Sequence, residues 1–211
     1  MRSDLEALAR AAGVDLETYT LARVVASEAG SSSSTDLERV GVAHATLNRV
    51  AIWANRDKYL DAPITARVTL EEGRGPTWEY GPQNVGPRVV STRFAPTANH
   101  LAVARLVIRG EVPDPTGGAQ SFLEPSGQDK LLAAGVAGYK SSASTVLRRW
   151  MADGWQPTVM IDNTLFLRKG TSPAVDWADH PDPPRRDGSS FLTLVVGAGL
   201  IGAAAWLLAK G

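Results

Sequence analysis

The chain contains no cysteine, which excludes disulfides, thiolate metal sites and cysteine nucleophiles. Histidine is nearly as scarce. His44, His100 and His180 are the three in 211 residues, far apart and without an HExxH or similar spacing, so neither a metal site nor a cofactor is expected. An excess of one charge is also missing: Lys+Arg and Asp+Glu number 22 each, which leaves no basic stripe and no expectation of a nucleic-acid partner. Residues 1–13 carry Arg2, Asp4, Glu6 and Arg10 and no apolar segment, and so do not read as a secretory signal. What the chain does have is an apolar fraction of 44%, sufficient for a real core at this length.

Leu21-Ala22-Arg23-Val24-Val25-Ala26-Ser27-Glu28-Ala29-Gly30 is the stretch around which the rest is organised. Val25, Val24 and Leu21 lie three, four and seven residues before Glu28, which puts this carboxylate on the apolar face of a helix. Gly30 reads as the glycine just past the helix end, so Glu28 also sits at the negative pole of the macrodipole. Desolvation and the dipole both disfavour the charged form, as a general acid working at neutral pH requires. The competing reading is that Glu28 rotates into water beside the glycine cap.

Around this stretch the pattern is helical. Ser3-Asp4-Leu5-Glu6 has capping-box form, with Leu5, Leu8, Ala9 and Ala12 on one face before Gly13. Asp15 is placed to cap the helix that carries Glu28. Thr35-Asp36-Leu37-Glu38 opens a longer helix through Leu37, Val40, Leu47 and Val50, on which His44 reads as a hydrogen-bonded core residue rather than a catalyst. From Asp61 to Thr97 the chain is rich in Gly and Pro and reads as irregular, with Trp78, Tyr80, Gln83, Asn84 and Arg93 interspersed. Rings and amides are what a sugar-binding groove uses; they serve equally to pin a loop to a core. Ala98 to Arg109 is amphipathic, with Leu101, Ala104 and Ile108 facing inward. Asp114-Pro115-Thr116-Gly117-Gly118 describes a tight turn whose backbone can approach a ligand or another segment closely. Ser141 and Ser142 can cap a helix through Val146, Leu147, Trp150 and Met151, and Val159–Ile161 and Thr164–Leu167 read as a hairpin joined by Asp162-Asn163.

Two stretches resemble one family. Leu21 to Gly30 with Val40-Gly41-Val42-Ala43-His44-Ala45-Thr46-Leu47-Asn48-Arg49-Val50, and Val107 to Gly110 with Asp114-Pro115-Thr116-Gly117-Gly118-Ala119 and Phe122, are similar to the two hallmarks of SleB-type cell-wall hydrolases, the spore-cortex lytic enzyme family. The resemblance runs from about Ala22 to Leu167. It implies a mainly α (α+β) fold, a lysozyme-like helical domain with a small β-hairpin, that cleaves the glycan strands of peptidoglycan between MurNAc and GlcNAc. Glu28 matches the family's catalytic Glu. The residues expected to bind substrate are Asn48, Trp78, Tyr80, Arg93, Thr116, Gly117 and Gly118.

Glycosidases that work through two carboxylates hold them at set separations. Asp36, Glu38, Glu71, Glu72, Glu79 and Asp114 are available, but no pattern places them as Glu28 is placed. A lytic transglycosylase needs one carboxylate, and that mechanism is expected here. A hydrolytic muramidase or glucosaminidase, helped by Asp36 or Glu79, and an inactive binding or structural protein are the alternatives.

The domain is expected to occupy residues 1–170, followed by a Pro-rich linker over 171–190. Phe191 to Ala209 carries no charge and is apolar apart from Thr193. At about 1.5 Å per residue it reaches roughly 28 Å, which predicts a C-terminal transmembrane helix over 191–209, with a buried core helix as the alternative. Arg185 and Arg186 before it, against Lys210 after it, weakly favour a cytoplasmic domain. Peptidoglycan is not found there, so a membrane-anchored protein of a phage particle, with virion proteins as further partners, is the expected setting.

Overall fold

The computed structural model describes residues 2–52, 61–69, 95–136, 139–170 and 185–186. Its elements, in order, are α1 (Arg2–Ala11), α2 (Leu16–Glu28), α3 (Asp36–Ala51), α4 (Pro63–Thr69), α5 (Ala98–Ile108), β1 (Ser121–Leu123), α6 (Pro125–Ala133), α7 (Ala143–Ala152), β2 (Trp155–Ile161), β3 (Thr164–Lys169) and β4 (Arg185–Arg186).

Helix α2 is the central post. Asp15 caps it, accepting from the Thr18 backbone at 2.8 Å, and every residue from Thr18 to Val25 is buried because α1, α3, α4 and α5 all pack on it. A helix enclosed on all sides has no distinct core face over its middle turns. Its first turn does unusual service: the Glu17 carboxylate accepts from the Ile64 and Thr65 backbones at 2.7 and 2.9 Å, capping α4 from a distance. That explains a helix, Pro63–Thr69, inside a stretch expected to be irregular. Helix α1 begins at Arg2, so Ser3 and Asp4 lie within its first turn rather than at its cap. In α5 the buried side is His100, Val103, Ala104 and Val107, one position away from the expected stripe, and Ile108 is 37% exposed.

The fold-class expectation is corrected on two points. The hairpin is not a small isolated one: β1 joins it, giving the strand order β1-β3-β2-β4, antiparallel except for the short parallel β4. The chain is therefore mixed helix and sheet. Secondly, among the described residues no helix is long and apolar enough to cross a membrane; residues 191–209, where the transmembrane helix was expected, lie outside the described residues.

Strand β3 is the centre of the sheet and Thr164 to Leu167 are all buried, the continuous pattern of a strand covered on both faces. On one face Phe166 meets α3. A Cβ on Gly41 would lie 2.7 Å from the tip of the Phe166 ring and 3.3 Å from Ile161, so the glycine lets helix and sheet close. On the other face Leu165 and Leu167 pack with Leu147 of α7. The two-residue loop between β2 and β3 places Asp162 at φ 50, a left-handed conformation that Asp tolerates, and a bulge between Pro157 and Val159 accommodates the missing donor of Pro157.

Gly41→Ala is expected to destabilise the fold. Overpacking against the fully buried Phe166 costs about 1–3 kcal/mol, against roughly 0.5–1 kcal/mol gained in helix propensity. A lowered midpoint in urea unfolding checks this; an unchanged or raised midpoint would show that the ring gives way.

Candidate functional site

Glu28 is the last residue of α2 and is exposed. Of its two readings, burial on the apolar face is corrected, and exposure beside the glycine is what the structure has. The apolar spacing from Leu21 to Val25 belongs to an all-round buried helix, and only the last turn, Ala26 to Glu28, emerges from it. The Ser27 hydroxyl lies 3.1 Å from the Val24 carbonyl oxygen and 3.0 Å from Glu28 Oε1, so its one proton is shared between them. Gly30 ends the helix differently from the expected left-handed cap. Its φ is not positive, but a Cβ there would lie 1.9 Å from the Ala26 carbonyl oxygen, and only glycine fits. Arg39 then holds the outgoing chain, donating to the carbonyls of Ala29 at 3.2 Å and Ser31 at 3.3 Å and pairing with Asp36 at 2.8 Å.

Glu28 opens onto a cleft of about 440 Å³. The helical side of the cleft supplies Glu28 from α2, Arg49 and Ile52 from the end of α3 and Arg67 from α4; the sheet side supplies Ser121 and Phe122 from β1, Trp150 from α7 and Trp155 from β2. Glu28 is the one carboxylate among these described lining residues. Arg49 joins the two sides, its Nε donating to the Gln120 carbonyl at 2.7 Å.

The 113–119 turn, which leads into Ser121 and Phe122, is held by its own polar groups and by Asn48. Asp114 Oδ1 accepts from the Thr116 backbone and hydroxyl at 2.7 and 2.6 Å; Oδ2 accepts from Gly118 N at 3.1 Å and Asn48 Nδ2 at 2.9 Å. Asn48 spends its second proton on the Ala119 carbonyl, also at 2.9 Å. Gly117 and Gly118 have φ of 67 and 79, which the turn requires. Burial alone raises the Asp114 carboxyl, but the bonds from Thr116 and Asn48, with the nearby His44, outweigh it and hold Asp114 below its ordinary value. His44 itself bonds the Val112 carbonyl at 3.0 Å, and burial pushes its pKa down, opposed by Asp114 and by that bond.

The residues expected to act together are thus divided. Glu28 lines the cleft. Asn48, Thr116, Gly117 and Gly118 do not; Thr116 is fully buried, and all four build the turn that delivers Ser121 and Phe122. Trp78, Tyr80 and Arg93 lie outside the described residues. Among the described residues no group of His, Asp or Glu could hold a metal ion. Sequence reasoning missed Phe122, Trp150, Trp155 and Arg67. One signal was available for Trp150: the buried stripe of α7 is Ala143, Leu147 and Met151, and Trp150 falls one position off it. No family model, curated protein or solved structure matches the chain.

Asn48→Ala is expected to cost about 1–3 kcal/mol, since it leaves the Ala119 carbonyl and part of Asp114 unsatisfied. Because the depressed Asp114 pKa contributes stability above its ordinary value of 3.8, and that contribution is lost as pH falls through the folded value, the variant should lose more at neutral pH than near pH 2, where the cost of the unsatisfied Ala119 carbonyl remains. Chemical unfolding at the two pH values tests this. A second prediction concerns the histidines. His44 and His100 both have folded pKa values below 6.5, so the unfolded chain binds protons first and stability should fall as pH drops below 6.5. His44→Gln should flatten that decline; an identical slope would mean that His44 does not contribute.

Proposed function

We propose that this chain is a lytic transglycosylase of the SleB type that cleaves the bond between MurNAc C1 and GlcNAc O4 in peptidoglycan, with Glu28 as its acid and then its base. The observation that carries the proposal is that Glu28, at the end of α2, is the one carboxylate among the described lining residues of a cleft that also offers indole and phenyl rings. Three carboxylates that the sequence offered as partners are committed elsewhere. Asp36 is paired with Arg39 and bonded by Asn99 at 2.7 Å, Glu38 is buried beneath Thr164, and Asp114 holds the 113–119 turn. A mechanism that needs a second carboxylate at a fixed distance therefore gains no support from these three; Glu71, Glu72 and Glu79, the other carboxylates the sequence offered, lie outside the described residues.

One carboxyl group is enough when the substrate supplies the nucleophile. Glu28 gives its proton to the glycosidic oxygen as the C1–O4 bond breaks and the GlcNAc hydroxyl leaves. The 6-hydroxyl of the same MurNAc attacks C1, and its proton passes to the Glu28 carboxylate, which regenerates the acid and leaves a 1,6-anhydro end. No water is consumed. Exposure at the mouth of a cleft lets Glu28 reach a polymer that never enters a closed pocket. Arg49 and Arg67 bring positive charge to the same lining, which suits the carboxylates of the lactyl-peptide stem.

Glu28→Gln keeps the shape and removes the proton, and turnover of purified peptidoglycan should fall by about 10²–10⁴ with no change in unfolding midpoint. Mass spectrometry of the released fragments should find anhydro-muramyl ends. Reducing ends would instead indicate a hydrolase, and full activity in the Gln variant would end the assignment of Glu28.

A further inference from the structure

Trp150 and Trp155 come from different elements, the last turn of α7 and the first residue of β2. The turn between them includes Gly154 at φ 87, which reverses the chain tightly enough to bring the indoles to a centroid distance of 6.2 Å at 40°. Both rings are only half-buried and both line the cleft that holds Glu28. Both pack against the small apolar cluster of Leu147, Leu165 and Leu167. The position is therefore fixed from beneath while ring surface stays open to the cleft. Lys169, paired across the strands with Trp155, sets its ammonium 5.6 Å from the Trp155 ring centre, which fixes the indole further.

We propose that the Trp150–Trp155 pair is a saccharide-stacking subsite that takes the pyranose rings of a β-1,4-linked N-acetylhexosamine strand. The inference rests on the glycan substrate class of the preceding reading and adds which side chains recognise it. Three features select a sugar over a plain apolar ligand. Rings 6.2 Å apart and tilted by 40° leave no slot for a flat group between them, so a ligand meets ring surface from the cleft rather than entering between the indoles. The C–H faces of equatorially substituted pyranoses meet aromatic faces, while their hydroxyl and acetamido edges need hydrogen-bond partners. Ser121 and Arg49 stand in the same lining to provide those. Finally, the pair shares its cleft with Glu28, so a strand lying on the indoles continues to the acid.

The test uses the full chain carrying Glu28→Gln, so that binding is measured without turnover. N-acetylchitotetraose is titrated by tryptophan fluorescence, and sedimentation with insoluble peptidoglycan is followed in parallel. Trp150→Ala and Trp155→Ala should each weaken binding by about tenfold, the upper end expected for loss of one aromatic contact. Trp150→Phe and Trp155→Phe keep a ring and should bind within about threefold of the parent, with a reduced ligand-induced fluorescence change. Urea midpoints identify any Ala variant that has lost its fold, in which case the fluorescence of the Phe variants decides. Parental affinity in folded Ala variants, or an undiminished fluorescence response in both Phe variants, would overturn the subsite. The two proposals fail separately. Tryptophan-dependent binding by a chain that never cleaves peptidoglycan removes the enzyme and keeps the subsite, whereas cleavage that survives both Ala changes with unaltered binding does the reverse.

Discussion

Thr164 donates a buried hydrogen bond to Glu38, and Thr35, the cap of α3, donates one to Asp162 in the β2–β3 turn. A carboxylate taken out of water is costly unless its oxygens are satisfied. Burial pushes the Glu38 pKa up, and the Thr164 and Ser34 hydroxyls oppose the shift. Such contacts are directional, and they fix how far along its axis α3 sits on the sheet. One turn further on, Gly41 admits the Phe166 ring; at the far end, Asn48 and Arg49 bind the chain from Asp114 to Gln120. A helix fastened at its start, middle and end does not slide. The distance between the end of α2, which packs on α3, and β1, which α3 also touches, is set by those fastenings.

Local signals made much of this legible. Asp15, Thr35 and Ser142 are caps in the structure, because a short polar side chain before an apolar periodic run has one good use. The hairpin over Asp162-Asn163 followed from strand-like residues around a two-residue turn. What could not be read is what depends on distant partners. Thr35-x-x-Glu38 has the letters of a capping box, but Glu38 turns away into a bond with Thr164, 126 residues on. Helix α4 has its cap on Glu17, and β1 is a strand only because β3 offers it an edge.

Of the residues expected at the site, Glu28 is the one that lines the cleft, and it does so for a reason other than the one its spacing suggested. Helical spacing put Glu28 on the face of Leu21, Val24 and Val25, and that face is buried. Spacing does not say where a helix leaves its core. The Gly30 contact and the Arg39 bonds show that α2 stops where it emerges, so its final carboxylate is delivered to the surface. The Asp-Pro-Thr-Gly-Gly turn shows the reverse problem. Its glycines allow close approach of either a ligand or another chain segment, and the approach found is internal: Gly118 donates to Asp114, and the turn leads into β1.

The cleft lies where two apolar clusters meet, and β3 belongs to both. Phe166 points into the larger cluster with α2 and α3, while Leu165 and Leu167 point into the smaller one beneath Trp150 and Trp155. Alternation along one strand thus determines how Glu28 and the indoles are spaced. A slip of one residue in the β1–β3 or β2–β3 register would exchange the faces and separate them. Thr164 and Asp162, bonded to the first turn of α3, prevent that slip at one end of β3, and Gln120, whose backbone donates to Leu167 at 2.8 Å, prevents it at the other. The polar contacts at the two ends of β3 therefore hold the site together even though neither of them lines it.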